Sequence, residues 1–202
     1  MDSDTIWRHV DEQRGQLADL LDTLKPEQWS APSLCAGWTV RDVAVHVTQV
    51  NVSRGEYVRA AIRSRFRFDA MISRMAVTDT SDPATITARL RAIVGDRGRP
   101  PFTKEVDPLM DVLVHTQDIC VPLGIEHPMP VDAAVAVAQR LWGMKFPLNP
   151  QRDLPGYRFV ATDAGFTAGP EWGALREAPI HDIVLMLSRR LSIPDSEPDP
   201  DE

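Results

Sequence analysis

Four residues of this chain have types and spacings suited to holding a metal ion: His46, Asp111, His115 and Asp118. Three of them sit in DPLMDVLVHTQDICVPLG, residues 107–124, at positions i, i+4 and i+7. At about 100° per residue, that spacing places them along one stripe of a helix. The residues between are mostly apolar (Leu109, Met110, Val112, Leu113, Val114, Ile119, Val121), so the helix is expected to be largely buried. Buried carboxylates and imidazoles are costly unless paired or bound to a metal. The stripe calls for a partner on another element.

Helical bundles build metal sites from inward side chains on facing helices, often with an i, i+3 or i+4 pair on one of them. Asp111 and His115 form such a pair, and His46 can approach from a second helix. Three nitrogen or oxygen ligands with a position left open is the composition of a catalytic zinc site rather than a structural one. Asp118 then orients His115 from behind or serves as an alternative ligand. Plainer readings stand beside this one. Asp111 could favour the positive end of its helix dipole, His115 could be a core histidine satisfied by Asp118 or Asp111, and His46 could be a packing residue.

The other reactive side chains are read as bystanders. His9 is expected on an exposed face of the first helix, His127 in a Pro-flanked loop, and His181 at the start of the last helix. Cys35 precedes a helix N-terminus, where a thiolate would be stabilised, but is expected to be a buried, inert thiol. Cys35 and Cys120 are far apart and form no C-x-x-C, so neither a disulfide framework nor a cysteine-type zinc site is indicated. No G-x-S-x-G, P-loop or G-x-G-x-x-G is present.

The elements that must position these residues follow from periodicity and punctuation. A first helix is expected from Thr5 to Leu24, ended by Pro26. A loop from Glu27 to Trp38 comes next, carrying enough apolar side chains to pack tightly. Thr39 with Asp42 three residues on forms a capping box for a second helix, which continues through His46 toward Arg63. Asp82-Pro83 opens a third helix and Asp107-Pro108 a fourth, with Asp107 as N-cap. Four amphipathic helices in this span predict an antiparallel four-helix bundle over residues 1–125. A short C-terminal α/β segment follows over 126–193: a helix from Val131 to Lys145, strands at 157–163 and 166–169, and a helix begun by Pro179. The acidic, proline-rich tail, residues 194–202, is expected to be disordered.

A chain of 202 residues with 43% hydrophobic and 25% charged content suits a globular protein with a substantial core. Its net charge of −7 argues against general nucleic-acid or anionic-membrane binding. It has no run long enough to span a membrane and no signal peptide, so a cytoplasmic location is expected. The arginines between Arg54 and Arg67 read as a solvated face, or as a cationic rim for a small carboxylate.

Three segments resemble a known family. LCAGWTVRDVAVH (residues 34–46) and DVLVHTQDICVPLG (111–124) are similar to the two signatures of the mycothiol-dependent maleylpyruvate isomerase family, in the DinB-like superfamily. FVATD (159–163) followed by FTAG (166–169) resembles its C-terminal segment. The resemblance implies a DinB-like bundle with one divalent metal, usually zinc, on His46, Asp111 and His115, and mycothiol as thiol cosubstrate. It implies either cis–trans isomerisation of a small unsaturated dicarboxylic acid or transfer of the thiol to an electrophile, with Arg189 and an arginine from 54–67 holding an acidic substrate. Two departures stand out: Asp111 occupies the place of a glutamate, and Ser188-Arg189 that of a Gly-Arg helix ending. The competing class is a non-enzymatic bundle that binds metal or a small ligand. Monomer and dimer are both compatible with the sequence.

Overall fold

Of the four helix starts read from the sequence, those at Thr39 and Asp82 form by the chemistry expected of them. The first helix begins at Ser3 rather than Thr5, and the fourth moves by one residue. In the computed structural model, which describes residues 1–49, 68–99 and 103–193, Asp2 accepts a hydrogen bond from Thr5 N and caps α1 (Ser3–Thr23). Thr39 and Asp42 form the reciprocal capping box that opens α3 (Val40–Val47). Asp82 caps α5 (Pro83–Ala92) by accepting from Thr85 N. At α6 (Asp107–Cys120) the start shifts by one residue: Val106 is the N-cap. The carboxylate of Asp107 instead accepts from Lys104 N, upstream of the helix.

Two helices lie outside the elements expected from the sequence. Pro26–Trp29 forms a single helical turn, α2, inside the expected loop, and Phe68–Val77 forms α4. The extension of the second helix to Arg63, the arginine-rich stretch 54–67 and the tail 194–202 lie outside the described residues.

The chain divides into two compact units, Met1–His127 and Pro128–Glu202. In the first, α1 packs against α5 and α6, and α3 packs against α4, α5 and α6. Their shared core includes Val10, Leu17, Val43, Ile86, Leu90, Leu109 and Leu113, all buried. Each such aliphatic side chain contributes about 1.5–3 kcal/mol on burial. Because α1 meets two helices, its buried stripe is wide enough to take in His9, Gln13 and Arg14 as well as the apolar positions. His9, expected at the surface, is 4% exposed.

In the second unit, α7 (Val131–Trp142) packs against α9 (Ile180–Leu187), with the single turn α8 (Pro150–Asp153) beside α7. A three-stranded sheet of order β2-β1-β3 completes it: β1 is Tyr157–Ala161, β2 Thr167–Ala168 and β3 Ala174–Ala178. β1 runs antiparallel to β2 and parallel to β3, with Phe159 opposite both Ala168 and Arg176. β3 carries no alternating apolar pattern because all but one of its residues are exposed or half-exposed, so periodicity does not reveal it. Gly169 is required here: a Cβ would lie 2.1 Å from the Tyr157 carbonyl oxygen. The protein is mainly α with a small C-terminal α/β part, as expected.

Candidate metal centre

Ten of the fourteen residues of α6 are buried, and Asp111 and His115, on one stripe, are half-buried. α3 packs along that stripe and brings His46, in its last turn, against them. His46 Nε2 lies 3.4 Å from Asp111 Oδ1, and His115 Nε2 lies 3.5 Å from the same oxygen. The two imidazoles meet edge to face, their centroids 4.7 Å apart. Trp38, just ahead of α3, presents a further edge contact to His46 at 5.4 Å, and its indole N–H donates to Ser73 Oγ. His46 is thereby held between two rings.

The donor set suits a divalent metal. Bonds of about 2.0–2.1 Å in a tetrahedral site set ligand atoms about 3.3–3.4 Å apart, close to the separations measured between Asp111 and the two histidines. The ligand atoms of His46, Asp111 and His115 all fall within 4.8 Å of one another. The shorter aspartate side chain reaches this arrangement without strain in any backbone dihedral of α6. Asp111 is 31% exposed at its side chain, so the cluster opens to solvent on that side.

Behind His115 the distances are different. Its Nδ1–H donates to Asp118 Oδ2 at 2.7 Å, and Asp118 is wholly buried. That bond holds Nδ1 toward Asp118 and turns Nε2 to the side of Asp111 and His46. Asp118 thus stands where the stripe placed it, behind His115. Cys35, read from sequence as an inert bystander, belongs to the same cluster: its thiol donates to the same Oδ2 at 3.0 Å and lies 3.9 Å from His115 Nδ1. No local pattern could have found it, because 83 residues separate Cys35 from Asp118.

The electrostatics are those of a site built to hold charge. Burial works against ionising Asp111, yet the neighbouring His46, then His115 and Arg14, outweigh it and hold the carboxyl below its usual range. Burial likewise opposes charging His115, but the bond to Asp118, the Cys35 contact and the charge of Asp111 push it up to about 10. Arg14 enters unforeseen. Its side chain is 1% exposed, its guanidinium donates to the carbonyls of Ile93 and Asp96, and burial pulls its pKa down against the pull of Asp11, Asp111 and Asp96. It is a buried cation that offsets the carboxylates of this end of the bundle.

Arg189 lies in the other unit, after the end of α9, and pairs with Asp153. Its φ of 63° falls in the left-handed region that usually favours glycine at a helix end. His127 lies in a loop and His181 in the first turn of α9, as expected; burial lowers the pKa of His181. Cys120 is a buried thiol whose pKa burial pushes up to about 12, so it stays protonated.

Residues 10–100 match the family model described as the mycothiol maleylpyruvate isomerase N-terminal domain. Comparison with curated proteins and with solved structures returns no match. Among the described residues, no helix is long and apolar enough to cross a membrane.

Proposed function

We propose, for a chain that belongs over residues 10–100 to the mycothiol maleylpyruvate isomerase N-terminal domain family, a metal-dependent enzyme that uses mycothiol on a small acidic or electrophilic substrate. The reaction is either cis–trans isomerisation of an unsaturated dicarboxylic acid or transfer of the thiol to an electrophile. The observation that carries this reading is the set of His46 Nε2, Asp111 Oδ1 and His115 Nε2 at ligand-to-ligand separations, with Asp118 fixing His115 from behind.

His46, Asp111 and His115 would hold the metal, with zinc the expected ion for two imidazoles and a carboxylate. A metal in this position supplies a Lewis acid that favours the thiolate form of a coordinating thiol. The chain's own residues do the rest. Asp111 would contribute the anionic donor, its carboxyl held below the usual range by the neighbouring His46 and His115 against the cost of burial. Asp118 keeps the proton of His115 on Nδ1, so Nε2 is available as a donor once its own proton leaves. Trp38 and His115 hold the His46 ring from two sides, which limits how far that donor can swing. The exposed side of Asp111 gives a thiol or substrate a way in from solvent.

Elemental analysis of the purified protein tests the centre: about one equivalent of divalent metal is expected, lost in His46→Ala. Incubation with mycothiol and unsaturated dicarboxylates or other electrophiles then tests the activity. Isomerisation without net thiol consumption identifies an isomerase, stoichiometric consumption a transferase. Metal without either reaction leaves a binding protein.

A further inference from the structure

Two clusters of potential ligands share His115, and their internal distances separate their roles. On the Nε2 side the separations are 3.4 and 3.5 Å, those of atoms that could surround an ion. On the Nδ1 side, Asp118 Oδ2 lies 2.7 Å from the imidazole and 3.0 Å from the Cys35 sulfur. Those are hydrogen-bond lengths, too short for ligand atoms spread around a metal with a zinc–sulfur bond of about 2.3 Å. Cys35, His115 and Asp118 can be grouped as a metal site by proximity. The distances make them a hydrogen-bonded support.

We infer that Cys35 is a positioning residue of the metal centre: its thiol fixes the Asp118 carboxylate, and through it the orientation of His115. The loop that carries Cys35 is built to hold the sulfur still. Trp38 N donates to the Cys35 carbonyl, closing a turn in which Gly37 takes a φ of 79°, the left-handed position that glycine suits. Ser33 Oγ accepts from Cys35 N and donates toward the carbonyls of Cys35 and Trp38. Leu34 N donates to the backbone carbonyl of Asp118 itself at 3.1 Å. Loop and helix are thus joined twice at one residue, once through the backbone and once through the thiol. A buried carboxylate that accepts from two defined donors has little freedom to turn, and the imidazole bonded to it inherits that constraint.

The inference rests on the metal-centre reading above, and cobalt binding separates the two. Cobalt(II) is titrated against a competing chelator into wild type, Cys35→Ser, Cys35→Ala, Asp118→Asn and the Cys35→Ala/Asp118→Asn double variant, with visible and near-ultraviolet spectra recorded. Wild type is expected to bind cobalt without a sulfur-to-cobalt charge-transfer band. Cys35→Ala is expected to bind about tenfold more weakly, the lower end of the effect of losing a group behind a ligand. Cys35→Ser, which keeps a donor, should recover affinity to within about threefold. In the Asp118→Asn background, Cys35→Ala should add less than about twofold, because Cys35 acts through that carboxylate. Unchanged affinity in Cys35→Ala, or Cys35→Ser as weak as Cys35→Ala, overturns the inference and leaves the centre standing. A charge-transfer band in wild type makes Cys35 a ligand and overturns it also. Wild type that takes up no cobalt removes the centre itself. Should Cys35→Ala not fold, the ratio of Cys35→Ser to wild type, with and without Asp118→Asn, carries the same test.

Discussion

The two sides of the His115 imidazole face similar groups in different states. Toward Nε2 stand a histidine and an aspartate, half-buried, 3.4–3.5 Å from one another's donor atoms and open to solvent. Toward Nδ1 stand another aspartate, wholly buried, and a thiol, closed up to 2.7 and 3.0 Å. Asp111 and Asp118 are the same residue type on the same helix, seven positions apart, yet one stands at ligand spacing from two imidazoles and the other at hydrogen-bond distance from one. What separates them is spacing and access. Atoms kept a tetrahedral edge apart leave room for an ion between them; atoms at hydrogen-bond distance do not. A residue's type says what it can donate, and only its distances say to what.

The comparison breaks most visibly if one side is removed with the imidazole. His115→Ala should reduce bound metal from about one equivalent to background by elemental analysis, because a site left with two ligands on the open side holds metal poorly. Asp118→Ala should retain stoichiometric metal at saturating concentration while weakening affinity about 10- to 100-fold. If it empties the site as completely as His115→Ala, the two sides are not different in kind. The same variant should destabilise the metal-free protein by about 3 kcal/mol in urea unfolding, because it strands a charged imidazole beside the core.

pH sharpens the contrast next. His115 holds its proton more tightly folded than unfolded, from an ordinary 6.5 up to about 10. Its contribution to stability is therefore full below about pH 6.5 and declines as pH rises through about 10. Urea midpoints in the presence of a chelator should fall across that window in wild type, and fall less in Asp118→Ala, which lacks the largest stabilising contact of the imidazolium. Metal binding in the same window should release about one proton, seen by calorimetry in buffers of different ionisation enthalpy.

The smallest effect is expected at the open side. Asp111 Oδ1 already stands at ligand spacing from both histidines. Asp111→Glu therefore adds a rotatable bond without adding reach that is needed, a cost of about 0.5–1 kcal/mol or a two- to fivefold weaker affinity. A glutamate variant that binds tighter than wild type would show that the aspartate stands short of the ion.

Much of the bundle is legible in the sequence because its helix starts are matters of local chemistry. Asp82-Pro83 and the Thr39–Asp42 pair start helices through bonds that span three residues, and these form as expected. Asp107 misses its expected role by one residue for an equally local reason: a nearby upstream amide, Lys104 N, competes for its carboxylate. β3 escapes a sequence reading because it is a largely exposed edge strand with no alternating apolar pattern. α4, by contrast, carries helical spacing, Phe68, Met71, Ile72 and Met75 falling at i, i+3, i+4 and i+7, and is legible by that rule. The stripe of Asp111, His115 and Asp118 is legible from helical geometry, and so is the need for a partner.

What the chain determines by itself is therefore the helix that carries the metal-binding residue types and the stripe on which they lie, since both follow from rotation per residue. Tertiary packing alone decided the rest. It set α3 against α6 so that His46 faces Asp111 rather than the core, and wrapped α1 against two helices so that His9 and Arg14 became buried. It also carried Cys35 across 83 residues onto the carboxylate behind His115. Contacts of that separation depend on how whole elements dock, and no window of sequence holds both partners at once.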